Sequence, residues 1–170
     1  MSTKIQQITR TDAGLFLLEE KEHTVIIALA LKEKGAAMQV NITKTRVRYA
    51  DTDCMGVVHH ARYLEYFEIG RTEYMRERGL PYAQVEKDGT FLVLSEAQVF
   101  YRGSAAYDEV LTIKTWVESL TGVRVKFRYE ILDEKNAVLA EGHTVLASVD
   151  RTGKVKRMPQ DVANVLKGDL

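Results

Sequence analysis

Arg46-Val47-Arg48-Tyr49-Ala50-Asp51-Thr52-Asp53-Cys54-Met55-Gly56-Val57-Val58-His59-His60-Ala61-Arg62-Tyr63 joins an extended segment to a long amphipathic one, and the layout of the chain follows from that junction. The segment begins as a strand, turns at two carboxylates and a glycine, and enters a helix whose first turn is expected to hold His59 and His60. Unpaired amides at a helix start carry partial positive charge and suit a carbonyl oxygen on its way to an oxyanion. A carboxylate, an imidazole and such amides in one short stretch fit an acyl-transfer site. They fit equally a strand-to-helix connection whose aspartate caps the helix. Spacing alone leaves both readings open.

The helix is expected over about residues 59–78. At 100° per residue, His60, Tyr63, Leu64, Phe67, Gly70, Tyr74 and Met75 share one face, while Glu65, Ile69, Thr72 and Arg76 point away. Gly79 and Pro81 supply the stop. A helix that is aromatic on one side needs a broad sheet to lie on, and Gly70 on that side permits close backbone approach.

The rest of the chain reads as strands. Upstream, the alternation of Val40, Ile42, Val47 and Tyr49 suggests a strand over residues 39–48, imperfect through its middle. Residues 91–101 form an apolar run broken by Glu96 and Gln98. Leu111, Ile113, Thr115 and Val117 alternate with Thr112, Lys114 and Trp116. Thr121-Gly122 marks a tight turn. Val123, Val125, Phe127, Tyr129 and Ile131 then alternate without fault against Arg124, Lys126, Arg128 and Glu130, giving one dry face and one basic face. A turn at residues 133–136 leads to a strand over 138–149, with Gly142 expected at a bulge or bend. Residues 150–153 turn again, and a short helix is expected over 161–166. One long helix followed by hairpin-linked strands is an α+β layout, an antiparallel sheet wrapped around a central helix.

With 170 residues and 45% hydrophobic content, the chain can bury one sizeable core. Its net charge of zero provides no global field for nucleic acid or an anionic membrane. Any anionic ligand therefore needs a local basic patch. The single cysteine, Cys54, excludes an internal disulfide and a multi-cysteine zinc site, and fits a cytoplasmic protein. The first residues lack the pattern of a signal peptide, and the longest apolar run, 25–31, is too short to span a membrane.

Residues 1–38 stand apart as an extension before a domain over 39–170. Apolar runs at 15–18 and 25–31 flank a charged link and read as a hairpin or as a strand and a helix, with a linker over 32–37. An alternative is that Met38 starts the natural protein and the upstream residues extend the reading of the gene.

The motif residues resemble a known family. Arg46-Val47, four residues, Thr52-Asp53, two residues, Gly56-Val57-Val58, four residues, Tyr63 is similar to the active-site pattern of the 4-hydroxybenzoyl-CoA thioesterase family. That family has the hotdog fold, an antiparallel sheet wrapped around one long helix. Tyr49, Asp53 and His60, with the continuation through Tyr63, resemble the Tol-Pal-associated acyl-CoA thioesterase branch. The resemblance covers about residues 40–167.

The resemblance makes Asp53 the catalytic carboxylate, as general base for water or as nucleophile. It implies that His60 orients the carboxylate or water, and that Tyr49 stands near the site, with packing as its rival role. The oxyanion partner is expected among the amides of Val58, His59 and His60, with Gly56 shaping the turn. Asp51 is expected to be structural. His59, about 100° from His60 on a helix, is expected to be secondary. A metal held by Asp53, His59, His60 and His143 lacks a typical ligand spacing, and Cys54 lacks an assured base partner for a thiol nucleophile.

Coenzyme A brings phosphates, for which Arg124, Lys126 and Arg128 are the expected partners on one strand face, with Arg102, Lys154 and Arg157 outlying. The rival reading is a solvated charged face. Glu65 and Glu68, the acids that other hotdog enzymes would use, point away from the inner face. Arg71 falls near that face and is a candidate for an ion pair between subunits.

The expected protein is thus a cytoplasmic acyl-CoA thioesterase acting on short-chain or aromatic acyl groups. It needs no metal or redox cofactor, coenzyme A entering only as part of substrate and product. An acyl carrier protein is an alternative acyl donor. The resemblance implies a homodimer joined edge to edge with sites between subunits, or a homotetramer. A hotdog dehydratase or hydratase, and a non-enzymatic protein that binds an acyl carrier or envelope complex, are the alternatives.

Overall fold

A computed structural model describes residues 8–10, 16–20, 23–25 and 39–168. The chain divides into two compact units, Met1–Gly35 and Ala36–Leu170. In the first, strands β1 (Ile8–Arg10), β2 (Phe16–Glu20) and β3 (His23–Val25) form an antiparallel sheet in that order. The β2–β3 pair is a hairpin; the run at 26–31, the linker at 32–37 and Met38 lie outside the described residues.

The second unit holds β4 (Asn41–Arg46), a short 3-10 turn (Tyr49–Asp51), α1 (Arg62–Arg76), α2 (Tyr82–Lys87), β5 (Phe91–Tyr101), β6 (Val110–Leu120), β7 (Arg124–Leu132), β8 (Val138–Val149) and α3 (Gln160–Lys167). Its five strands pair antiparallel in the order β4-β6-β7-β8-β5, leaving β4 and β5 as edges. This is the hotdog arrangement that the resemblance implies. Among the described residues no helix is long and apolar enough to cross a membrane.

Strand β7 behaves as its alternation demands: Val125, Phe127, Tyr129 and Ile131 are buried. They receive α1, with Phe67 stacked on Tyr129 at 4.2 Å and Tyr74 edge-on to Phe127 at 5.7 Å. Such aromatic pairs add about 0.5–1.5 kcal/mol each beyond area burial. Gly70 brings the helix onto β6: a Cβ there would lie 2.3 Å from Thr115 Oγ1 and 2.9 Å from Ile113 Cγ2. The turns at 121–123, 133–136 and 150–153 all form, the last with Gly153 at positive φ.

Three expectations need correction, and the apolar alternation of β4 does not mark its buried face. Helix α1 starts at Arg62, so His59 and His60 precede it. Its buried face is Tyr63, Tyr66, Phe67, Gly70, Tyr74 and Met75, a stripe centred on Gly70 that takes in Tyr66 and leaves Leu64 38% exposed. In β4 the phase is inverted: Asn41 is buried, accepting from Arg78 Nη1 at 3.2 Å and donating to Thr43 Oγ1 at 3.1 Å, while Val40 and Ile42 are exposed. Gly142 lies in a strand in regular register, not at a bulge. It is small because a Cβ would lie 2.1 Å from Gln98 O and 3.0 Å from the Phe67 ring.

Candidate active site

The segment after β4 is anchored first. Val47 exchanges hydrogen bonds with the 108–109 corner, its N–H donating to Glu109 O at 2.9 Å and its carbonyl accepting from Asp108 N–H at 3.0 Å. The 3-10 turn then points Asp51 inward. Asp51 is 1% exposed and accepts from Arg48 N–H (3.0 Å), Arg48 Nε (3.1 Å), Arg48 Nη2 (2.8 Å) and Tyr66 Oη (3.2 Å). Burial alone would raise its pKa; the bonds from Arg48 and Tyr66 outweigh that and hold the carboxyl below the ordinary carboxylate value. The same contact, together with burial, pushes the Tyr66 phenol well above its ordinary value. The three bonds from Arg48 close the loop on itself and the one from Tyr66 ties it to α1, which is a structural role.

Asp53 has a different setting. It is half-buried, and Oδ1 accepts the Met55 N–H at 2.8 Å, a local turn that Gly56 completes at φ +77°. The chain folds back so that Asp53 N–H donates to Val57 O and His59 N–H to Asp51 O, both at 2.9 Å. Asp53 does not cap α1: Ala61 holds the N-cap position and makes no side-chain cap bond.

Of the three amides expected to serve an oxyanion, two are spent. Val58 N–H donates to Ala105 O at 2.8 Å, and His59 N–H is the bond to Asp51 just given. The His60 N–H has no hydrogen-bond partner among the described residues. Ala105 takes the Val58 amide because the 105–106 segment bridges to residues 57–58 like a short strand, and the fold-back of the loop onto Asp51 takes the His59 amide.

His60 is exposed rather than on the inner face of a helix. The two imidazoles, expected to diverge, stand side by side with ring centroids 4.0 Å apart because neither residue is helical. His59 Nδ1 accepts the Ala61 N–H at 3.3 Å, which makes Nε2 the site of its proton in the neutral ring. Tyr49 is 80% exposed and meets Tyr107 edge-on at 5.7 Å; among the described residues its hydroxyl bonds to no member of the Asp53 loop. Cys54 is exposed.

Two tyrosines had no assigned role in the sequence reading. Tyr101, at the end of β5, donates from Oη to His60 O at 3.0 Å. Tyr63 lies 5.3 Å from the Tyr101 ring, and its buried hydroxyl has no partner among the described residues. Burial, then the neighbouring Tyr101 and Glu109, raises the Tyr63 pKa, so the phenol stays protonated. Tyr63 belongs to the motif but carried no assigned role, and nothing local links Tyr101 to a histidine 41 residues away.

The cationic strip is smaller than expected. Lys126 Nζ and Arg128 Nε each lie 2.7 Å from Glu118, leaving Arg124 without an acidic partner among the described residues. All three project from the side of β7 opposite the residues that receive α1. The bulge at Val117/Ser119 turns Glu118 toward Lys126 and Arg128. Glu65 and Glu68 are exposed, and Arg71 pairs with Glu68 at 2.9 Å within its own subunit. Among the described residues no three His, Cys, Asp or Glu side chains form a group that could hold a metal ion.

Residues 47–166 match the family described as the thioesterase-like superfamily. A putative esterase of Aquifex aeolicus is 35% identical over 126 residues, covering 74% of this chain and 97% of that protein. The acyl-CoA thioester hydrolase YbgC of Escherichia coli is 30% identical, covering 72% and 92% of the two chains. The solved structure of a DHNA-CoA thioesterase from Staphylococcus aureus superposes with a TM-score of 0.68 at 37% identity, over 69% of this chain and 80% of that one.

Proposed function

Because the chain belongs to the thioesterase-like superfamily, we propose that it hydrolyses acyl-CoA: acyl-CoA and water give a carboxylic acid and free coenzyme A. The observation that carries the reading is the Asp53 loop. It holds a half-buried carboxylate whose one hydrogen bond among the described residues is the local Met55 N–H, and the chain leaves the loop through His60, whose amide is without a partner among them. The carboxylate activates water or attacks the thioester carbonyl itself, and the His60 N–H receives the oxygen as it becomes an oxyanion. Coenzyme A thiolate leaves without needing a strong general acid. Tyr101 positions His60 through its carbonyl. A positioned base contributes roughly 10²–10⁴-fold and one oxyanion donor about 10²–10³-fold.

The protein works as a dimer in this reading, with β5 of one copy paired to β5 of the other. Along β5, residues 93–98, 100 and 101 are all exposed, and they include Val93, Leu94, Phe100 and Tyr101. A long apolar edge of this kind calls for a partner strand. Arg124, the member of its strip without an acidic partner among the described residues, is retained as a candidate for the coenzyme phosphates. A rise in KM for acyl-CoA in Arg124→Ala supports that role, and an unchanged KM ends it.

The test is thiol release across acyl-CoA substrates from acetyl to palmitoyl and benzoyl, with crotonyl-thioester hydration assayed alongside. Hydrolysis that disappears in Asp53→Asn supports the reading. Hydration without hydrolysis overturns it.

A further inference from the structure

A cavity of about 170 Å³ opens between α1, α2 and the sheet, and none of the groups assigned to the chemistry lines it. Met75, Leu92, Phe127 and Leu146 make its apolar wall, and Arg71 and Glu68 its polar side. An enclosed space of about 150 Å³ holds benzene, so this one takes an acyl tail of roughly six to eight heavy atoms. The Arg71 side chain is 15% exposed, and Glu68, itself 65% exposed, takes one of its N–H groups, Nη2. A guanidinium has five N–H donors in a planar fork that matches a carboxylate. Glu68 is the one acid in the lining, so a second anion that enters the recess meets the remaining N–H groups of Arg71.

The cavity sits along α1 from Glu68 onward, away from the helix end that follows the Asp53 loop. Arg71 lies nine residues along α1 from Arg62, about 14 Å at 1.5 Å per residue, farther than an acyl tail of that size extends. In a dimer joined through β5, antiparallel pairing about a two-fold axis sets the Phe91 end of one strand against the Tyr101 end of the other. Leu92 at the first end lines the cavity, and Tyr101 at the second is bonded to His60. In such a dimer each cavity faces the strand end that carries the neighbouring copy's Tyr101 and, through it, His60.

We propose that the cavity walled by Met75, Leu92, Phe127 and Leu146 is the acyl pocket for the neighbouring copy's Asp53, and that Arg71 selects acyl groups ending in a carboxylate, the monothioesters of short dicarboxylic acids. The inference rests on the acyl-CoA thioesterase reading and its β5-joined dimer.

Hexanoyl-CoA and adipyl-CoA differ only in a terminal methyl against a carboxylate. The wild type is expected to favour adipyl-CoA in kcat/KM by about tenfold or more, the worth of a hydrogen bond to a charged group. Arg71→Met removes the preference through the KM for adipyl-CoA, and Arg71→Lys keeps part of it. Co-expressing Asp53→Asn with Arg71→Met then restores adipyl-CoA hydrolysis, because one site of each mixed dimer combines an intact Asp53 with the other copy's intact Arg71. Equal or better use of hexanoyl-CoA or benzoyl-CoA overturns the inference, as does a preference that survives Arg71→Met or mixed dimers that recover nothing. Hydrolysis of hexanoyl-CoA with no preference for adipyl-CoA removes the inference alone. Failure to hydrolyse any acyl-CoA removes the thioesterase reading and the inference with it.

Discussion

Asp51 and Asp53 stand two residues apart in one loop, and the fold uses them in opposite ways. Asp51 is 1% exposed and accepts four hydrogen bonds from Arg48 and Tyr66, whereas Asp53 accepts only the Met55 N–H among the described residues. Each carboxylate therefore has its own experimental signature.

For Asp53→Asn the fold is expected to survive, with stability within about 0.5 kcal/mol of wild type, as for a surface substitution. Hydrolysis falls by roughly 10²–10⁴-fold if the carboxylate is the base. Asp51→Ala does the reverse in the first instance. It leaves the Tyr66 hydroxyl without its acceptor and costs about 1–3 kcal/mol, at the lower end because Arg48 stays in contact with water. Urea unfolding and thiol release measured on the same two variants separate the roles. An Asp53→Asn enzyme with near-normal turnover would sink the assignment.

The depressed Asp51 pKa fixes the sign of a pH effect. A carboxyl whose folded pKa lies below its unfolded value adds stability above the unfolded value, and that increment is lost as pH falls through the folded pKa. The ordinary value is 3.8. The stability difference between wild type and Asp51→Asn should thus stay level from about pH 7 to pH 5 and shrink below about pH 4. Urea titrations over that range read it directly, and a difference that grows on acidification contradicts the geometry.

Gly70 offers a test of the helix–sheet contact that is independent of the chemistry. With Thr115 Oγ1 2.3 Å and Ile113 Cγ2 2.9 Å from where a methyl would sit, Gly70→Ala forces α1 off β6. Overpacking of this kind costs about 1–3 kcal/mol. Adding Thr115→Ala removes the nearer obstruction, so the double variant should be more stable than the two single effects summed. Additive losses in thermal unfolding would mean that the contact is not what holds the helix close.

How far the sequence could be read follows the locality of each signal. The β7 alternation was clear because Val125 to Ile131 are constrained by one buried face and nothing else. Asn41 inverted the β4 phase through its long-range partner Arg78, a contact invisible to any periodicity. The start of α1 was misplaced because Ala61 offers no capping side chain to mark it. Within the loop, Asp51 could be set apart from Asp53 only by the motif, and the loss of the Val58 amide depends on Ala105, far along the chain. The six residues of α2 are too few to show a helical period.

The edge strand makes the last prediction. Nearly every residue of β5 from Val93 to Tyr101 is exposed, on both faces of the strand, which a lone subunit has no reason to keep apolar. If two copies join there, a lysine in the seam should oppose its symmetry mate and dismantle the pair, since inward charges on an edge block strand pairing. Val93→Lys is expected to convert the dimer to a monomer in sedimentation without unfolding it, because Val93 is 50% exposed. Activity should fall with the dimer if the acyl pocket belongs to the neighbouring copy. A monomeric Val93→Lys protein with full hydrolysis would show that each subunit holds a complete site, and a variant that stays dimeric would move the interface away from β5.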